Sequence, residues 1–231
     1  MKENAETSKF GCEFCGRSFL RETTIAKHIC EYKQRHLNKD MHGNRIGFQS
    51  WLQFYKKNSP SKKKRTHEEF IKSAYYGAFV KFGNYCAGAN VLNVSRFVDW
   101  LLKNQIKIDS WNTDTIYTRF LIEYLREEDP LDAIARSIET SIKLAEIETI
   151  QSKDILRYGN KNRICQVITN GKISPWMLYQ SDSGTEFLGS LDPLQEKLVM
   201  DYINPELWAI KFKRNTDKVT QVKELLNAGG Y

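Results

Sequence analysis

The sequence predicts a mainly α protein, in which a small ββα module at the N-terminus is followed by an irregular multi-helix domain. Three observations predict it. Apolar residues recur at helical spacing from Thr66 almost to the C-terminus, as in Leu131, Ile134, Ala135, Ile138, Ile142 and Ala145. All five prolines follow Ser, Asp or Asn: Ser59-Pro60, Asp129-Pro130, Ser174-Pro175, Asp192-Pro193 and Asn204-Pro205. A capping side chain before proline at the first helical position marks a helix start. No Asn-Gly or Asp-Gly pair sits between two alternating runs, so strands are expected only in the N-terminal module.

The elements follow in order. Residues 1–9 are polar and read as a disordered lead. Residues 10–40 hold a cysteine/histidine cluster. Residues 41–65 read as a basic connector, with a short helix over 46–57 carrying Ile46, Trp51, Phe54 and Tyr55. The connector ends in Pro60 and the run Lys62, Lys63, Lys64, Arg65. Residues 66–231 form the expected helical domain. Within it, Thr66 with Glu69 fits a capping box for a helix to about residue 83. Ser95 is placed to cap a helix over 96–104, and Thr113 one reaching about residue 128.

Three stretches of this domain invite functional readings. Residues 70–86 are dense in aromatics interrupted by Lys72 and Lys81, a pattern that can stack on bases but more often forms core. Residues 161–180 have the outline of a helix-turn-helix around Asn170-Gly171. Their second helix, with Trp176, Met177, Leu178 and Tyr179, is too apolar for a DNA groove and is expected inside. Glu127, Glu128 and Asp129 read as solvated surface. Gly77, Gly83 and Gly88 lack the Gly-Lys-Ser/Thr ending of a phosphate-binding loop.

Composition narrows the class. Of 231 residues, 41% are hydrophobic and 27% charged, so most of the chain is expected to fold. No apolar run approaches the ~18 residues of a membrane span, and the polar start lacks a signal-peptide core. An intracellular protein without membrane contact is expected. The net charge of +7 is uneven: residues 1–65 carry 15 Lys/Arg against 6 Asp/Glu, and the remainder sums to −2. A basic segment on a near-neutral body points to a polyanionic partner. The cysteine count is odd, at 12, 15, 30, 86 and 165, which argues against a disulfide framework. Cys86 and Cys165 read as buried free thiols.

The chemistry concentrates in Cys12-x2-Cys15-x3-Phe19-x5-Ile25-x2-His28. Two thiolates from a tight turn supply two corners of a tetrahedron, and a histidine on a following helix supplies a third. Phe19 and Ile25 supply a minimal core, too small to fold without the metal. Up to His28 the string resembles the two-cysteine/two-histidine zinc finger of transcription factors, which implies one bound Zn2+. The resemblance then departs, because positions 32–34 hold Tyr32, Lys33 and Gln34 in place of a second histidine. Cys30 and His36 are the candidates for the fourth ligand. On an unbroken helix Cys30 points about 200° from His28, and His36 lies about 12 Å along the axis. Either needs a break after His28. Cys30 needs only local unwinding and is the favoured ligand, with His36 the alternative.

In the finger family the base-reading places fall on Arg21, Thr24 and Lys27. Lys33, Arg35 and the run Lys62–Arg65 are candidates for backbone contacts. The first expectation is therefore a non-enzymatic DNA- or RNA-binding protein whose helical body contacts another protein. A second is a protein–protein adaptor with a structural finger. A third, weaker one is a metal-dependent nuclease built on His36, Asn38, Asp40, His42 and Asn44. Across the chain, HICEYKQRH, EEFIKSAYYGAFVKFGNY, GKISPWMLY and INPELWAIKFK resemble conserved proteins of T-even-type and marine bacteriophages. That resemblance implies a phage-encoded protein in a bacterial host cytoplasm, and in the first expectation the partner of the helical body is a replication or transcription protein. The resemblance carries no activity with it.

Overall fold

The computed structural model describes residues 10–59 and 64–231. The lead 1–9, Pro60 and the candidate contacts Lys62 and Lys63 lie outside the described residues. The fold is mainly α, with a single two-stranded sheet among the described residues. None of the described helices is long and apolar enough to cross a membrane.

The chain divides into two units, Met1–Asn112 and Thr113–Tyr231. The expected boundary near residue 66 lies inside the first unit. The first unit holds β1 (Phe10–Gly11), β2 (Ser18–Phe19), α1 (Glu22–Ala26), α2 (Glu31–Leu37), α3 (His42–Asn58), α4 (His67–Ile71), α5 (Tyr76–Gly88) and α6 (Val94–Lys103). The supposed connector helix is α3, longer than expected at 17 residues, and it packs closely along α5. Thr66 caps α4 as read, its Oγ1 accepting the Glu69 N–H at 3.3 Å, but the helix stops at Ile71 and restarts as α5. Asn93, not Ser95, caps α6, accepting the Arg96 N–H at 3.0 Å.

Glycines explain the α3–α5 contact. Gly43 and Gly47 lie one turn apart on α3 and face Gly83 of α5. A Cβ on Gly83 would fall 1.9 Å from the Gly43 carbonyl oxygen and 2.6 Å from the Gly47 nitrogen. A Cβ on Gly47 would fall 2.5 Å from the Phe79 carbonyl oxygen. The two backbones touch, and no side chain separates them. Around the crossing, Trp51, Phe70, Phe79, Phe82, Phe97 and Trp111 are almost wholly buried. The aromatic stretch 70–86 is thus mostly core, with Tyr75 exposed.

The second unit holds α7 (Asp114–Glu127), α8 (Pro130–Glu148), α9 (Ile155–Tyr158), α10 (Lys161–Thr169), α11 (Pro175–Gln180), α12 (Asp182–Gly189), α13 (Pro193–Ile203), α14 (Pro205–Lys213) and α15 (Thr216–Ala228). Four prolines open α8, α11, α13 and α14. The Asp129, Ser174, Asp192 and Asn204 side chains before them accept backbone N–H groups of the first turn. Trp176, Met177 and Leu178 of α11 are fully buried, which leaves no groove-reading helix there.

The acidic group 127–129 is not uniformly solvated. The Glu128 side chain is 2% exposed and takes a two-pronged ion pair from Arg136, at 2.6 and 2.7 Å. Arg136 Nε also donates to the Gly171 carbonyl at 2.9 Å, fixing the α10–α11 turn. Burial pushes the Glu128 carboxyl up from its ordinary range, and the Arg136 guanidinium opposes that shift.

Two stability outcomes follow from these contacts. Gly83→Ala lowers the stability of the first unit by about 1–3 kcal/mol or more, through overpacking against backbone. Gly77→Ala, where a Cβ meets nothing within 4 Å, is neutral or stabilising by up to about 1 kcal/mol. Urea denaturation of both variants checks the contrast, and equal midpoints would refute the close crossing. Arg136→Met strands a buried carboxylate and costs about 3–5 kcal/mol. Adding Glu128→Leu recovers much of that loss in the same assay.

Candidate metal centre

The N-terminal hairpin places the first two donors. β1 and β2 pair antiparallel with Phe10 opposite Phe19. Between them, Cys12 N–H donates to the Arg17 carbonyl and Gly16 N–H to the Cys12 carbonyl, both at 2.8 Å. Gly16 sits at φ +71°, a left-handed conformation that glycine adopts without strain. The turn brings the Cys12 and Cys15 sulfurs to one side.

The third and fourth donors come from a break between two helices. α1 ends at Ala26, with Lys27 as its cap, so the break precedes His28 instead of following it. His28 packs its ring on Phe19 at 4.7 Å. Cys30 has extended backbone and caps α2, its Sγ accepting the Lys33 N–H at 3.4 Å. His28 and Cys30 therefore never share a helix, and their expected angular separation does not arise.

Cys12, Cys15, His28 and Cys30 form one group whose donor atoms all lie within 4.8 Å of one another. Cys12 Sγ is 3.9 Å from Cys30 Sγ, and Cys15 Sγ is 3.3 Å from His28 Nε2. A tetrahedral ion with metal–sulfur bonds near 2.3 Å and metal–nitrogen bonds near 2.0 Å needs edges of about 3.5–3.8 Å. The group can hold one metal ion. Cys12 is buried and the other three are half-buried. Backbone N–H groups of Cys15 and Phe14 pull the Cys12 thiol below its usual pKa despite the burial. For Cys15 the Arg17 backbone N–H acts downward, but desolvation and the neighbouring Cys12 and Cys30 sulfurs leave it raised. A bound cation removes that conflict by deprotonating all three thiols. The remaining two cysteines stand apart and stay thiols. Burial pushes Cys86 up to about 12, and burial and then Asp192 raise Cys165.

His36, the alternative ligand, is used elsewhere. Its ring lies 5.1 Å from Phe14 and 6.3 Å from His67, whose own ring lies 5.2 Å from Phe48. This ladder joins the cysteine turn to the core of the first unit, and the sequence carried no signal for it. Burial, and secondarily the charge of His36, holds His67 below the ordinary histidine pKa. Asn44 is buried and donates to the Asn38 carbonyl at 2.6 Å. These two members of the nuclease-like string thus have packing roles.

The candidate nucleic-acid contacts separate into two sets. Arg21, Thr24 and Lys27 are exposed on α1 and at its ends, and Lys64 is exposed as well. Thr24 and Lys27 line a shallow cleft with Phe19, Thr23, His28 and Ile29. The others are engaged inside the unit. Lys33 Nζ donates to the His28 carbonyl at 3.2 Å. Arg35 lies 4.3 Å from the Tyr76 ring centre, donates to the Ile71 carbonyl at 2.5 Å and pairs with Glu31. Arg65 lies over Tyr55 at 3.9 Å. The described cations therefore do not act as one free row.

No family model matches the chain, and neither a curated protein nor a solved structure matches it. The metal centre makes its own test. Cys30→Ala loses the bound metal ion, whereas His36→Ala retains a full equivalent, measured by elemental analysis of the purified variants. Retention by Cys30→Ala would return the fourth place to another donor.

Proposed function

We propose that the protein is a non-enzymatic, zinc-stabilised nucleic-acid-binding protein. Three thiolates and one imidazole at tetrahedral spacing suit Zn2+, which in such a closed set is structural. The ion organises the hairpin, α1 and the start of α2, and so holds α1 rigidly on the surface.

The observation that carries the reading is the edge of α1. Arg21, Thr24 and Lys27 stand exposed beside the metal group, at the places from which finger helices contact DNA. Charge supports it. Met1–Asn112 holds 20 Lys/Arg against 10 Asp/Glu, a net +10, whereas Thr113–Tyr231 holds 15 against 18, a net −3. The attraction to polyanions belongs to the first unit. Because α1 has only five residues, the contact is mainly to phosphates, with little sequence reading. The second unit serves protein contact, and the phage-like stretches favour a replication or transcription protein in a bacterial cytoplasm.

An adaptor role is the second reading. Leu20 is 72% exposed beside Arg21, and Ile29 is 65% exposed in the cleft next to Lys27. Apolar side chains in that position suit a protein surface.

The double variant Arg21→Ala, Lys27→Ala weakens duplex DNA binding at low salt roughly tenfold and reduces the slope of log K against log salt by about 2. Titration by fluorescence anisotropy at several salt concentrations measures both. An unchanged affinity and slope would remove α1 as the contact and leave the adaptor reading in place.

A further inference from the structure

The first unit carries a second feature suited to nucleic acid, away from the metal group. α4 ends at Ile71 with Lys72 as its C-cap, and the chain turns through Ser73, Ala74 and Tyr75 into α5. The Ser73 hydroxyl fixes this turn. It accepts the Tyr75 N–H at 3.1 Å and the indole N–H of buried Trp51 at 3.3 Å. The turn forms one wall of an open notch of about 400 Å³, and Trp51, Tyr55 and Arg65 form another.

The notch brings an exposed aromatic face beside two cationic side chains. Tyr75 is 45% exposed and packed on one side by Phe54 at 6.1 Å, in a unit whose other described Phe, Tyr and Trp residues are buried or half-buried. Arg65 is held over Tyr55 at 3.9 Å and lies 5.5 Å from Trp51, so its guanidinium is already ordered. Lys72 is exposed on the rim. Glu69 adds one carboxylate to the lining, and the two cations outnumber it. An aromatic face, an ordered guanidinium and an exposed ammonium match a base with its flanking phosphates. A duplex must first unstack and unpair a base, at a free-energy cost, whereas a single strand offers one directly.

We propose that the notch takes one unstacked base of a single-stranded nucleic acid, stacked on Tyr75, with Arg65 and Lys72 on the adjoining phosphates. The inference deepens the nucleic-acid reading and rests on it, but uses different residues.

The test is binding of the full-length protein to an eight-nucleotide oligothymidylate and to an abasic strand of the same length. Tyr75→Ala weakens the oligothymidylate by roughly 5- to 150-fold and leaves the abasic strand unchanged, whereas Tyr75→Phe binds as wild type. Lys72→Ala weakens both strands. Binding of Tyr75→Ala within twofold of wild type, or an equal loss for both strands, overturns the notch. Wild-type protein that binds neither single strand nor duplex overturns the notch and the general reading together. Loss on Arg21→Ala, Lys27→Ala without any dependence on Tyr75 overturns the notch alone. Dependence on Tyr75 without any on Arg21 and Lys27 supports the notch and overturns α1 as the contact.

Discussion

Three sulfurs and an imidazole nitrogen within 4.8 Å of one another set the terms for the N-terminal part of the chain. Ionised, three such sulfurs repel one another; protonated, they are weak partners for buried polar groups. A cation at their centre resolves both problems, and the backbone is arranged to present them to it. The two-residue strands, the left-handed Gly16 and the five-residue α1 have little stability of their own. A metal ion drawing the four donors together would hold them in place.

The module is also tied to the helices that follow it. Arg35 reaches Tyr76 and the Ile71 carbonyl, and His36 hands on contact from Phe14 to His67. Both residues sit on α2, directly after the last donor, so ordering of the metal group and of α2 positions them together. The side chains that looked like surface cations and spare ligands in the sequence are the fastenings between module and core. Among the described residues, Arg21, Thr24 and Lys27 on the α1 edge and Tyr75 and Lys72 at the notch are exposed, and these carry the proposed contacts.

Much of this was legible because it is local. Proline after a capping residue fixed four helix starts, since both effects act within one turn. The spacing of Cys12, Cys15 and His28 was readable because a tight turn and a short helix leave little freedom. What escaped depends on distant partners. Glu128 looked solvated because Arg136 and Ser174, which enclose it, meet it only through tertiary packing. The close packing of α3 on α5 escaped because Gly43, Gly47 and Gly83 let two backbones meet, and glycine has no side chain whose periodicity announces a buried face. The fourth donor is half-legible: Cys30 and His36 both offer themselves in the sequence, and it is Cys30 that lies in the donor group, because the helix ends at Ala26, before His28.

Cys30 has a double attachment. Its sulfur belongs to the donor group, and it also accepts the Lys33 N–H that opens α2. Oxidation or alkylation of that one atom would unseat an ion and uncap a helix in the same event. The damage would spread along α2 to Arg35 and His36, making a single sulfur the point at which chemical injury to the module becomes detachment from its core.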